Sequence, residues 1–402
     1  MELSAATRIQ AASELMLTFA ERTGVGSRAQ ETRYLWTDAF AVCNFLGLAR
    51  TTGDRRYTEL ALRLIDGVHH TLGHFRADDA RSGWISGLDD AEGERHPTRG
   101  GLRIGKRLPE RRPTEAFDEA LEWERDGQYF HYLTKWMHAL DQAARATGEA
   151  RFNAWACELA EAAIAAFASF GRVRERGGLA WKMSTDLART LVSTLGRQDA
   201  LDGFVTCVEL RGTAGAFASG RATRVLEREL GALRGMLTHG DWLTDDPLGI
   251  GSLLVDAGRL GQLAEEGDGE QAALLERILW DAVTGLSLPQ ALTCLRMPAG
   301  RRLAFRELGL AIGLAAAHLA GSANSTVVAA TSRYAVLGEA VLSFWLDPAR
   351  RRSTSWSDHQ DINDVMLATS LLPDGFLVLS GLLPSSAAPP PLTRPSDIRP
   401  SA

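Results

Sequence analysis

Two stretches of this chain repeat one another, and that repeat restricts the possible folds more than any other feature. Thr147-Gly148-Glu149 separates an apolar helix, running from about Asp126 to Arg145, from a returning helix through Phe152, Leu159 and Phe167. At an offset of 95 residues, Thr52-Gly53-Asp54 separates Tyr34–Ala49 from a helix carrying Tyr57, Leu60/Ala61, Leu64/Ile65, Val68 and Leu72. Thr52, Gly53, Asp54, Arg56 and Tyr57 match Thr147, Gly148, Glu149, Arg151 and Phe152, and Ala61 and Leu64 match Ala156 and Leu159. In each unit the first helix is apolar on most sides, while the second carries one apolar stripe at three-and-four spacing. The first therefore belongs inside a bundle and the second outside it. Hairpins of this kind bury their inner faces only by stacking on further copies. The Gly closes the first helix, and the Asp or Glu favours the positive end of the next.

Weaker copies follow. Asp202-Gly203-Phe204-Val205 opens an inner helix with 220–238 returning outside it, and Asp246-Pro247 precedes an inner helix at 248–262 with 269–285 outside. Residues 303–320 and 327–345 pair across Gly321-Ser322-Ala323-Asn324, and Asp361 to Leu372 closes a ring with an amphipathic lead-in helix at 5–22. The expected fold is all-α, an (α/α)6 toroid of inner-outer hairpins forming one domain over 1–382. A short strand hairpin is expected around 173–183, and the Pro/Ser-rich tail 383–402 is expected to be disordered.

Composition bounds the function. The chain has 402 residues, 45% hydrophobic and 23% charged, enough for a large core. A net charge of −6 offers no attraction to nucleic acid or anionic lipid, so neither is an expected partner. Cys43, Cys157, Cys207 and Cys294 are far apart with no C-x-x-C, which reads as reduced core thiols. Met1-Glu2-Leu3-Ser4 lacks the basic start of a signal peptide, and no apolar run is long enough to cross a bilayer. A cytoplasmic enzyme or binding protein is expected, with the oligomeric state left open.

The connections are asymmetric. Those from inner to outer helices are short, whereas those feeding inner helices are long, and a ring gathers the long ones at one mouth. Trp36, Trp84, Trp123, Trp181, Trp242 and Trp356 lie on or near them, and flat indole faces suit sugar rings. The inner helix after Asp126 carries Gln128, His131, Lys135, His138, Gln142 and Arg145 on one narrow stripe, which reads as a polar barrel interior. Glycoside hydrolysis needs two carboxyl groups, and Glu122, Glu124, Asp126 and Asp202 are candidates, with Asp38 and Asp358/Asp361 behind them. Each Asp at a helix start can also act as an N-cap. His70 and His74 form an i, i+4 pair without a clear carboxylate partner, so no metal or other cofactor is expected. Gly100-Gly101-Leu102-Arg103-Ile104-Gly105-Lys106 lacks P-loop spacing, and Arg103 and Lys106 are candidate contacts for an acidic substituent.

Trp36-Thr37-Asp38-Ala39-Phe40, Phe45-Leu46-Gly47-Leu48 and Thr52-Gly53-Asp54-Arg55-Arg56-Tyr57 together resemble the first hairpin of six-hairpin glycosidases, closest to unsaturated glucuronyl hydrolases. The resemblance covers about residues 30–215. It implies a carbohydrate site at the long-loop mouth and two aspartates near inner-helix starts, for which Asp126 and Asp202 stand in position. Gly177-Gly178-Leu179-Ala180-Trp181 also has a family look, but Arg125 stands where the family has His. N-acylglucosamine 2-epimerases and cellobiose epimerases resemble the same ring and use histidine proton transfer. The main expectation is a glycoside hydrolase for a small or uronic-acid-containing saccharide, with Asp126 as proton donor and Asp202 or Glu124 as second carboxylate. Trp36, Asp38, Gln128, the other five indoles and His359 would line its saccharide site. One alternative is a sugar epimerase or isomerase using His131 and His359; another is a non-catalytic saccharide-binding or scaffold protein.

Overall fold

A computed structural model describes residues 3–25, 32–168, 178–238, 240–264, 269–320, 330–379 and 381. The tail 383–402, the turn at 321–324, His239 and residues 173–177 of the strand hairpin expected around 173–183 lie outside the described residues. Among the described residues twelve main helices carry the fold: α1 (Ala5–Thr23), α2 (Leu35–Thr52), α3 (Arg55–Leu72), α4 (Phe130–Thr147), α5 (Ala150–Ala168), α6 (Asp199–Ala216), α7 (Gly220–Leu237), α8 (Pro247–Leu263), α9 (Gly269–Ser287), α10 (Ala304–Ala316), α11 (Ala335–Leu346) and α12 (Gln360–Leu371).

The repeat is visible in the structure. Gly53 and Gly148 both take φ 73°, and their N–H groups donate to Ala49 and Ala144, ending α2 and α4 in the same left-handed turn. Asp54 then accepts from the Arg56 N–H and starts α3. Residues 35–48 of α2 are buried on every side, whereas α3 buries only Tyr57, Ala61, Leu64, Ile65, Val68, His69 and Leu72.

The inner helices α2, α4, α6, α8, α10 and α12 pack in that order, and α12 packs back on α2 to close the ring. Outside, α3, α5, α7, α9 and α11 each cover the inner helix before them, and α1 covers α12. The first and last helices are thus one hairpin, and the ring is an (α/α)6 toroid. Between α8 and α10 the backbones nearly touch: a Cβ added to Gly251 would lie 2.3 Å from the Gly309 carbonyl oxygen. A larger residue there would pry the ring apart.

Two features close the ends. At the mouth, β1 (Gln128–Tyr129) pairs antiparallel with β2 (Lys182–Met183), tying the loop before α4 to the loop before α6. This pairing moves the start of α4 from the expected Asp126 to Phe130, because Gly127 takes φ 142°, outside any helix. At the other end, residues 373–379 leave α12 and cross the bore, with Gly375, Phe376 and Leu377 buried. No helix among the described residues is long and apolar enough to cross a membrane.

Candidate functional site

The polar stripe of α4 divides into two halves. His131 and Lys135 face a cavity of about 530 Å³ at the mouth of the ring. His138 and Gln142, further down, instead bind the backbone of residues 375–378.

Opposite Lys135 stands Asp202 of α6. The Lys135 Nζ lies 2.8 Å from both of its oxygens, and the Thr134 hydroxyl also donates to it. Burial works to raise this carboxyl, but the Lys135 and Arg259 charges outweigh it and hold Asp202 below the usual carboxylate range. Arg259 of α8 is buried behind it. Its Nε and Nη2 lie 2.9 and 2.7 Å from Glu209, and its Nη1 lies 3.4 Å from both Asp202 and Asp256. Glu209 in turn accepts from His138 Nδ1 at 2.9 Å. Burial opposes ionisation of Glu209, and the His138 and Arg259 charges overcome it.

Asp199, one turn before Asp202, has a different environment. Its Oδ1 is 3.8 Å from His131 Nδ1. Its Oδ2 is buried with no hydrogen-bond partner, beneath Gly196, where a Cβ would come within 1.8 Å of it. Burial, reinforced by the neighbouring Asp202 charge, pushes Asp199 up to about 8. The same two causes push Asp256 up to about 7. Burial and the Lys135 charge push His131 down to about 4. Near neutrality the cavity therefore presents a neutral imidazole, a protonated Asp199 and an ionised Asp202 bound to Lys135. Pairs of titratable groups driven apart in this way are what acid–base chemistry uses.

The upper wall is aromatic. Trp181 lies parallel to the His131 ring at 6.5 Å, and Trp123 meets Trp181 edge-on at 4.7 Å. Trp36 packs on Phe40 at 4.6 Å. Trp123 remains 49% exposed at the rim.

Of the residues singled out in the sequence, Trp36, Trp123, His131, Lys135, Trp181 and Asp202 line this cavity. Asp126 does not. It is fully buried in the loop layer, where Arg103 Nη1 lies 2.5 Å from its Oδ2 and the Gly105 and Gly127 N–H groups donate to its Oδ1. Asp126 anchors the loop, and Arg103 is consumed in holding it. Glu124 is exposed at the end of the short helix Glu119–Glu124, away from the cavity wall. Lys106 is half-buried with its Nζ 5.7 Å over Tyr34, and Gln128 is buried between Leu102, Gly100 and Thr185 backbone groups. Asp38 accepts from the Tyr34 N–H and faces Arg33. Trp84 packs on His74 at 4.0 Å, Trp242 under the Arg277 guanidinium at 4.2 Å, and Trp356 on Trp345 at 5.4 Å. His359 is exposed on the rim, 5.7 Å from Phe305, and does not line the cavity with His131.

Asp199 and Asp256 were not found from the sequence. The available signals were the Asp199–Asp202 spacing on one face of α6 and the Asp256–Arg259 pair inside an otherwise apolar helix, since such groups are rarely buried unless paired or functional. The histidines of α3 do not converge. His69 accepts from Trp136 Nε1 at 3.1 Å, and His70 lies 2.7 Å from Glu94. Among the described residues no group of three His, Cys, Asp or Glu could hold a metal ion.

No protein-family model matches the sequence, and no curated protein matches it. Among solved structures, the ring superposes on a crystal structure of D-mannose isomerase with a TM-score of 0.50 at 12% sequence identity, covering 91% of this chain and 97% of that one. That likeness shows a shared fold: a ring of six helical hairpins.

Proposed function

We propose that this chain is a sugar isomerase that moves a proton between the carbonyl carbon of a sugar and the carbon beside it. The observation that carries the reading is the neutral His131 imidazole in the aromatic wall, with Asp199 next to its Nδ1 and the Lys135–Asp202 pair one turn below. Fold alone does not fix chemistry, so the weight rests on these residues. The structural neighbour, by name a D-mannose isomerase, puts such a reaction on the same ring.

The steps balance without an outside reagent. His131 removes the proton from the carbon next to the carbonyl while Asp199 protonates the carbonyl oxygen, giving an enediol. The Asp199 carboxylate then takes the proton from the neighbouring hydroxyl, and the His131 imidazolium returns its proton to the former carbonyl carbon. Lys135 stabilises negative charge developing on the oxygens, as fixed cations do in a water-poor site. The indoles of Trp36, Trp123 and Trp181 offer apolar faces to the sugar ring.

Glycoside hydrolysis is the second reading. One observation favours it: a protonated Asp199 and an ionised Asp202 on the same turn. Both Asp202 oxygens are already bound by Lys135, which leaves it poorly disposed to activate water or attack carbon. Product analysis separates the two. Free aldoses incubated with the protein should yield ketoses, and His131→Ala should abolish that conversion. Release of new reducing ends from glycosides, with free aldoses untouched, would replace this reading with hydrolysis.

A further inference from the structure

The lower half of the bore contains polar side chains that the chemistry above does not use. His138 Nε2 donates to the Phe376 carbonyl at 2.9 Å, Gln142 Nε2 to Val378 at 3.0 Å, and Gln262 Nε2 to Leu377 at 2.9 Å. Arg50 donates to the Asp374 carbonyl at 2.8 Å, and the Leu379 N–H donates to Gln262 Oε1 at 3.0 Å. Three inner helices, α2, α4 and α8, thus bind the backbone of one segment. Without it His138 Nε2 and the Gln142 amide would lose these partners inside the ring, at a cost the ring avoids by keeping the segment in place.

The segment separates two spaces. Phe376 lines the cavity above, stacked on Phe40 at 4.2 Å and 15°. Its neighbour Gly375 lines a separate 250 Å³ pocket below, with Gly47, Arg50 and Gln142. Gly375 fits because it lies directly on α2: a Cβ there would be 2.7 Å from the Cys43 carbonyl oxygen.

We infer that residues 373–379 are a stopper that blinds the bore beneath the cavity, with Phe376 as its floor, so that the site takes a free sugar or a chain end and cannot thread a chain. The closure stands on packing alone. Its consequence for the substrate rests on the isomerase reading, under which the end that enters is the reducing end.

Cys43 is a built-in reporter. It lies on the inward stripe of α2 with Trp36, Phe40 and Gly47, and it is fully buried. The protein is labelled with methyl methanethiosulfonate at pH 8.5, and the modified cysteines are located by peptide mass. In the unaltered chain Cys294, the half-exposed thiol, should react and Cys43 should not. In Phe376→Ala, and in a chain ending at Leu372, Cys43 should label at least about tenfold faster, while the buried Cys157 and Cys207 stay protected. If Cys43 remains as slow as before in a folded variant, the segment is not what closes the bore. Should the shortened chain fail to fold, all four thiols will label together and Phe376→Ala decides. The substrate arm compares kcat/KM for a disaccharide with that for its free hexose. Phe376→Ala should raise this ratio about tenfold by deepening the cavity, and an unchanged ratio overturns the floor. If no sugar is isomerised, the isomerase reading fails while the thiol result stands.

Discussion

Asp199→Asn should make the protein more stable while making it inactive. In the folded chain Asp199 holds its proton up to about pH 8, against an ordinary value of 3.8. A carboxyl whose folded value is raised contributes stability that is complete below its unfolded value and is lost as pH rises to the folded one. At pH 8 a shift of about 4 units corresponds to roughly 5 kcal/mol of penalty, at about 1.4 kcal/mol per unit. Asparagine has the shape of the protonated acid and no charge to desolvate, so it escapes that penalty. New amide hydrogens beneath Gly196 lack a partner, as Oδ2 already does, and they offset about 1–3 kcal/mol of the gain. The net expectation is a gain of about 2–4 kcal/mol at pH 8 that vanishes or reverses by about pH 4. Urea unfolding of both proteins at several pH values measures it, provided the slopes agree. Equal stability at pH 8, or a variant weaker at every pH, would mean that Asp199 is ionised and paired with an imidazolium. The proton inventory assigned to the cavity would then be wrong.

Other substitutions probe the remaining groups. Arg259→Met leaves Glu209 and Asp202 short of a buried partner and should cost about 3–5 kcal/mol in unfolding free energy. Asp126→Asn should cost about 3 kcal/mol by freeing Arg103 in the loop layer, yet leave kcat unchanged in the folded fraction; loss of kcat in a fully folded variant would return Asp126 to the chemistry. Trp123→Ala should raise KM about tenfold with little change in melting temperature, because the indole is half exposed and contributes more to the rim than to the core. A large drop in melting temperature instead would make it a structural residue.

The ring was legible because its signals are local. The turn at Thr52-Gly53-Asp54 recurs at Thr147-Gly148-Glu149, and periodicity alone separates an all-round apolar helix from a one-sided one. Among its titratable groups, the site was legible only where a residue sits on such a helix. His131 and Asp202 face inward because of where α4 and α6 point, whereas Asp126 sits in a loop whose path is set by contacts 20 or more residues away, with Arg103 and Gly105. Nothing local distinguishes a carboxylate caged by an arginine from one left free for catalysis. Asp199 escaped notice for a related reason. The expected start of α6 was Asp202, and the observed start three residues earlier puts Asp199 in the first turn beneath a loop glycine. The indoles divided in the same way: those at 36, 123 and 181 reach the cavity, while those at 84, 242 and 356 pack on His74, Arg277 and Trp345.

Solvent deuterium measured by NMR in a reducing sugar tests the central claim most directly. The unaltered protein at neutral pD should place deuterium on the carbon beside the carbonyl as aldose and ketose interconvert, and His131→Ala should place none while remaining folded. Wash-in that survives loss of the imidazole, or a full panel of free sugars that the intact protein leaves unlabelled, would contradict it.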